Sequence, residues 1–189
     1  MMDRMHYRQA LAGGTAPSML TRFSARDRAL FRKLARPCAS HARARTVAIV
    51  LTHLGGATAA ILAALWPLFA SADWPTVGRH ALASLVLSHL VVQVVKRTVG
   101  RPRPSLGTDV AALVAEPDRF SFPSGHATAA LAVALAYAAA MPSLAFPILA
   151  LALIVGATRV VLGVHYPGDV AAGQTIALAT HLLLLRAGL

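Results

Sequence analysis

Acidic residues are scarce in this chain: seven Asp and Glu stand against 18 Lys and Arg, giving a formal net charge of +11. Cysteine is scarcer still, with Cys38 alone. A single thiol excludes an intramolecular disulfide framework and cannot by itself build a structural zinc site, so Cys38 reads as a bystander. Charge of either sign makes up only 13% of residues against 57% hydrophobic ones. With a mean hydropathy of +0.61, that is too apolar for an ordinary soluble domain of 189 residues. The few aromatics do not interleave with the basic residues, so no nucleic-acid-binding stripe is present. Most of the positive excess lies before residue 46, and the acidic partner it implies is a membrane surface.

What is there divides at that point. Residues 1–46 form a basic N-terminal segment, running from Arg4 to Arg45 with only Asp3 and Asp27 in opposition. No short apolar core with a small-residue cleavage site follows, which argues against a secretory signal. Met1 to Thr21 reads as disordered. Over Phe23 to Leu34, apolar and basic residues alternate loosely, as in a short amphipathic helix lying on anionic headgroups. Residues 47–189 form the membrane domain. Val47 to Ala72 is free of Lys, Arg, Asp and Glu and long enough to cross a hydrocarbon core of about 30 Å. Asp73-Trp74-Pro75 leads to a second span near Val77 to Val95, with Trp74 as interfacial anchor. The uncharged stretch Ala127 to Ala157 is too long for one crossing, and Met141-Pro142-Ser143 divides it. A fifth span follows from Pro167 to Leu185. His53, His80 and His89 inside these spans read as structural. The expectation is an all-α integral membrane bundle of about five transmembrane helices plus the N-terminal helix.

Three polar patches interrupt the apolar segments, and ionisable groups beside lipid are costly enough to be presumed functional. They are Lys96 to Pro104, Pro123-Ser124-Gly125-His126, and Thr158-Arg159 with His165 and Asp169. Counting the spans places all three at one membrane boundary. A phosphate monoester carries up to two charges, and fixed cations and donors suit it. Lys96, Arg103 and Arg159 fit that role, the guanidinium fork matching two phosphate oxygens. Arg97 and Arg101 read mainly as topology residues. Ser124 and Gly125 at a helix start present backbone amides to an anion. His165 and Asp169 are four residues apart, so the carboxylate can hold one imidazole nitrogen while the other attacks phosphorus. His126 remains to protonate the leaving alkoxide and then activate water. Asp169 is the one acid inside the motifs, too few for a hard cation, so no metal or other cofactor is expected.

Lys96 followed after six residues by Arg103-Pro104, then Pro123-Ser124-Gly125-His126, then Arg159 with His165 and Asp169, resembles the three-part signature of the type 2 phosphatidic acid phosphatase (PAP2) superfamily. The resemblance covers about Val77 to Leu185. It implies a helical core and metal-independent dephosphorylation through a phosphohistidine. In the implied roles His165 is nucleophile, Asp169 its partner and His126 the acid, with phosphate held by Lys96, Arg103, Ser124, Gly125 and Arg159. Two departures stand out: Thr158 replaces the usual serine, and five spans are counted where membrane members commonly have six.

The expected function is therefore a membrane lipid phosphatase. Its partners would be a phosphorylated lipid (a polyprenyl phosphate or prenyl-linked sugar phosphate, phosphatidylglycerophosphate or phosphatidic acid) and the bilayer, with no nucleic acid. The arginine-rich start held in the cytoplasm by the positive-inside rule puts the site at the cytoplasmic face. Two rivals remain: a vanadate haloperoxidase, which the apolar spans disfavour, and a non-catalytic membrane anchor or lipid-binding scaffold keeping a relic signature. A scaffold has no use for an oriented nucleophile. Oligomeric state leaves no trace in the sequence.

Overall fold

A computed structural model describes residues 19–188 apart from Ala72 and Pro117, with the side chains of residues 19–24 and 36–39 outside the description. Of the disorder expected over Met1 to Thr21, residues 1–18 lie outside the described residues, as does the Cys38 thiol, whereas Met19 to Thr21 belong to a helix. The elements in chain order are α1 (Met19–Ser40), α2 (Ala42–Thr52), α3 (Ala57–Leu65), α4 (Trp74–Val99), the single turn α5 (Pro104–Gly107), α6 (Gly125–Ala140), α7 (Ala145–Val161) and α8 (Pro167–Arg186). Short 3-10 turns follow α2, follow α3 and precede α7. Among the described residues there is no strand, only an isolated bridge between Pro102 and Phe120.

The apolar segments form a multi-pass membrane bundle. Three of them, Trp74–Val99, Pro142–Val161 and Pro167–Arg186, are long and apolar enough to cross a bilayer. The expected uninterrupted span Val47 to Ala72 is instead a bent pair, Ala42–Gly55 and Ala57–Phe69, inclined at 48°. Gly56 sits at the break in an extended conformation, with φ of −70° and ψ of 158°, so the helical ladder stops there and restarts. Close approach makes glycine necessary beside it: a Cβ at Gly55 would lie 2.8 Å from the His126 carbonyl oxygen. The fifth apolar segment, α6, has 16 residues. At about 1.5 Å per residue it is shorter than the hydrocarbon core. Five segments thus stand where five spans were expected, but three or four qualify as crossings by length and composition.

Position compensates for the length of α6. It packs against α4, α7 and α8 at the centre of the bundle, and alanines such as Ala127, Ala132 and Ala136 on its buried faces let those backbones close in. Gly173 of α8 is one such approach, because a Cβ there would lie 2.6 Å from the Ser124 carbonyl oxygen. Large apolar side chains instead face outward on the long helices, among them Leu90, Val94, Phe146 and Leu183, as a lipid-facing belt requires. His80 and His181 satisfy each other in the interior through a 2.8 Å hydrogen bond. His53 does not bond a neighbouring helix: it is exposed at the break after α2.

Helix α1 extends beyond the expected Phe23 to Leu34 and lies over the rim of the bundle. Asp27, Phe31 and Ala35, spaced i, i+4 and i+8 on one face, are its buried residues. The Phe31 ring meets Tyr166 edge-on with centroids 5.3 Å apart, and Arg32 pairs with Asp109 at 3.3 Å. Leu30 and Leu34 stay exposed beside the basic residues.

Candidate active site

Each patch reaches the rim because a helix ends or begins there. Lys96 sits in the last turn of α4, which closes on Gly100 in the left-handed conformation (φ 60°) with its amide donating to the Lys96 carbonyl at 3.0 Å. Ser124 caps α6, its hydroxyl accepting from the Ala127 amide at 3.4 Å. Tyr166 caps α8, whose first turn opens with Pro167 and carries Asp169; the Asp169 carboxylate accepts from the Tyr166 amide at 2.8 Å. A backbone bond from the Ser124 amide to the Asp169 carbonyl, 2.9 Å long, ties the last two starts together.

Lys96, Arg103, Gly125, His126 and His165 line one cavity of about 590 Å³. A Cβ added at Gly125 would meet nothing within 4 Å, so the α6 N-terminus opens directly on this space. The cavity continues along the outer face of α4 past Gln93 and His89 to Val86, Leu85 and Leu82. His89, expected to be structural, is an exposed cavity residue bonded to Gln93 at 3.0 Å.

The geometry around His165 differs from the expected dyad. Its Nδ1 donates to the Ser121 carbonyl at 2.7 Å, while the Asp169 carboxylate lies 3.6 Å from the same nitrogen, too far for a hydrogen bond. A carbonyl only accepts, so the proton is on Nδ1. Arg103 Nη1, which only donates, lies 3.4 Å from Nε2, and in the neutral ring Nε2 is then the unprotonated nitrogen. Burial first, and then the charges of Arg103 and Arg159, outweigh Asp169 and hold the His165 pKa down to about 4 from its ordinary 6.5. The imidazole is thus neutral at physiological pH, with the Nε2 lone pair accepting the long 3.4 Å contact from Arg103. Ser121 was missing from the sequence reading because a backbone carbonyl has no residue signature.

The cation clamp is occupied from within. Lys96 Nζ lies 2.6 Å from Asp118 Oδ2, and Arg103 Nη2 lies 3.0 Å from Asp118 Oδ1. Arg103 is oriented further by donation to the carbonyls of Asp118 at 2.6 Å and Val164 at 2.9 Å. Partial burial opposes ionisation of Asp118, yet Lys96 and Arg103 overcome it and hold the carboxyl below the usual carboxylate range. Asp118, which lies outside the three polar patches, therefore presents two oxygens to the cations a phosphate would use. Arg159 lies apart from the cavity lining: its Nη1 donates to Thr52 of α2 at 2.7 Å, and its buried Nε has no hydrogen-bond partner. Thr158 turns its hydroxyl to the Val155 carbonyl at 2.6 Å.

Arg101 has a different task from the topology role expected of it. Its Nη1 bonds Asp169 Oδ1 at 2.7 Å, its Nη2 lies 2.8 Å from Asp27 Oδ2, and its guanidinium stacks 4.0 Å from the centre of the Tyr166 ring. Asp169 and Asp27 raise its pKa against the opposing effect of burial.

The chain has relatives among known proteins. The chain is 45% identical over 103 residues to the decaprenylphosphoryl-5-phosphoribose phosphatase of Mycolicibacterium smegmatis, covering 53% of this chain and 52% of the relative. It is 34% identical over 122 residues to the lipid A 1-phosphatase of Rhizobium etli, covering 60% and 53%. The chain thus spans about half the length of the curated relatives it matches. Among solved structures, Aquifex aeolicus LpxE superposes with a TM-score of 0.73 at 21% identity over 83% of this chain and 93% of that one. A transmembrane PAP2 type phosphatidylglycerolphosphate phosphatase from Bacillus subtilis does so with a TM-score of 0.70 at 24% identity over 97% and 93%. At those identities the two structures establish the shared fold. The sequence profile of the PAP2 superfamily matches residues 77–188, which hold most of α4, all three polar patches and α8, and the chain belongs to that superfamily.

Proposed function

We infer that the chain is a membrane lipid phosphatase that removes a phosphate headgroup through a phosphohistidine on His165, without a metal. The observation that carries this reading is the pair of contacts at His165, which lines the cavity: Nδ1 lies 2.7 Å from the Ser121 carbonyl, which places the proton there, and Nε2 is left as the unprotonated nitrogen, 3.4 Å from Arg103 Nη1. In the first step Nε2 attacks phosphorus as the bond to the leaving alkoxide breaks. Lys96, Arg103 and the amides at Gly125 stabilise the equatorial oxygens, and His126 delivers a proton to the alkoxide. In the second step water, deprotonated by His126, attacks the phosphohistidine and releases orthophosphate and free His165. Asp169 balances the charge that develops on the imidazole ring. Arg159 contributes positive charge from behind the histidine.

For the substrate, we favour a prenyl-linked sugar phosphate within the wider class of lipid phosphates. Along α4 the cavity lining runs from the cation at Lys96 through Gln93 and His89, interleaved with Val92 and Leu90, to wholly apolar Val86, Leu85 and Leu82. That order suits a phosphate, a hydroxylated spacer and a hydrocarbon chain in succession, and the 45% identical relative is named for such a lipid. For orientation, Asp27 of the arginine-rich α1 packs against Arg101 at the rim that carries the site, so the positive-inside rule supports a cytoplasmic active site.

Purified protein in EDTA, given a panel of phosphorylated lipids, should release phosphate from the sugar-linked prenyl phosphate fastest, and His165→Ala should abolish release. Full activity of His165→Ala would discard the mechanism. Inactivity of the wild type across the panel would favour a lipid-binding scaffold. A cysteine reporter at Ser143, with Cys38 replaced, should label only from outside; labelling only from the cytoplasm would reverse the orientation.

A further inference from the structure

The one acid in α1 among the described side chains is buried at the catalytic centre. Asp27 keeps only 6% of its surface exposed in a helix whose neighbours Arg26, Lys33 and Leu34 face outward. One oxygen accepts from the Gly168 amide at 2.8 Å, in the first turn of α8 that also carries Asp169. The other lies 2.8 Å from Arg101, whose second nitrogen is bonded to Asp169. The Asp27 and Asp169 side chains are 4% and 0% exposed, with Arg101 between them at 16%. A buried charge left alone is expensive, so this carboxylate–guanidinium–carboxylate row is a unit.

The row has a consequence for His165. Arg101 and Asp169 by themselves would nearly cancel, leaving little negative charge to favour the imidazole as it becomes cationic on attacking phosphorus. A second carboxylate on the far side of Arg101 gives the row a net charge of minus one and shares the guanidinium, so that Asp169 stays effective at 3.6 Å from Nδ1. We propose that Asp27 is a positioning residue for the His165–Asp169 pair, which makes α1 part of the active centre. This rests on the phosphatase reading given above. Residue 27 lies outside the stretch 77–188 matched by the superfamily profile, so this device is additional to the shared signature.

The test is Asp27→Asn, which keeps an oxygen for Gly168 and removes only the charge, assayed in liposomes beside Asp27→Glu and the wild type. The other groups that act on His165 are Arg103 from the loop after α4, Arg159 from α7, His126 from α6 and Asp169 from α8, and these are unchanged. Losing a negative charge makes protonation of His165 harder, so the acid limb of kcat should move to lower pH. The value of kcat should fall about tenfold with KM within about twofold, and Asp27→Glu should recover most of it. Wild-type kcat and an unmoved acid limb in Asp27→Asn would overturn the proposal. Equal losses in both variants with an unmoved limb would also overturn it, since helix docking alone would then explain them. A wild type that releases no phosphate from any lipid would instead remove the phosphatase reading and this proposal together.

Discussion

Removing the charge of Asp118 should tighten the binding of free phosphate. In the described structure its carboxylate meets Lys96 at 2.6 Å and Arg103 at 3.0 Å, so an incoming phosphate must displace two charge-assisted contacts. Each such contact is worth about 1.5–3 kcal/mol when fully sheltered. The Asp118 side chain is 38% exposed, however, and exposed pairs give only about 0.2–1 kcal/mol, so a total near 1 kcal/mol is the sounder figure. At about 1.4 kcal/mol per tenfold, that corresponds to roughly fivefold. Asp118→Asn keeps the backbone carbonyl that orients Arg103 and an oxygen for the Phe120 amide. Inhibition by inorganic phosphate or vanadate, measured in proteoliposomes, should therefore strengthen by that factor. Unchanged or weaker inhibition would refute the competition and make Asp118 simply a support for Arg103.

Four further outcomes follow from the same structure. Arg103→Lys loses the fork that spans the carbonyls of Asp118 and Val164, and kcat/KM should drop about 100-fold, about 2.7 kcal/mol, in steady-state assays. With the His165 pKa held down to about 4, its acid limb in kcat/KM should lie near that pH and not near 6.5. Folded His165 resists the proton that the unfolded chain accepts, so this residue's contribution to stability is complete above pH 6.5 and is lost as pH falls toward 4, readable in melts at stepped pH. Gly173→Ala would put a methyl 2.6 Å from the Ser124 carbonyl oxygen and 2.7 Å from Thr128 Oγ1. The cost should be about 1–3 kcal/mol, seen as a Tm lower by several degrees in detergent.

The parts of this molecule legible in its sequence are those that side-chain type and period reveal. Charges at the ends of Trp74–Val99 and Pro167–Arg186 stand out against apolar runs, and counting crossings brings Lys96, His126 and His165 to one side. Gly55-Gly56 was the visible signal for the break in the first apolar segment, but an unbroken lack of charge outweighed it. The Ser121 carbonyl that orients His165 was illegible, because every residue carries such a group and only the loop's path selects one. Asp118 and Asp27 were visible as acids but not as site residues, since their partners lie 22 and 141 residues away in sequence, at Lys96 and Gly168. Asp27 did leave a trace: it shares an i, i+4, i+8 face with Phe31 and Ala35 inside an otherwise basic helix. The expected hold of Asp169 on one imidazole nitrogen is loosened for a related reason: spacing brings the carboxylate to 3.6 Å from Nδ1, but the Ser121 carbonyl lies nearer, at 2.7 Å.

The most direct measurement is to stop the wild-type enzyme during turnover of a radiolabelled lipid phosphate by rapid alkaline quench, and to map the label by mass spectrometry. The account predicts an acid-labile phosphate on His165 at Nε2, the nitrogen left without a proton when Nδ1 donates to Ser121. A label on Nδ1 or on Asp169, or turnover with no covalent phosphoenzyme at all, would contradict it.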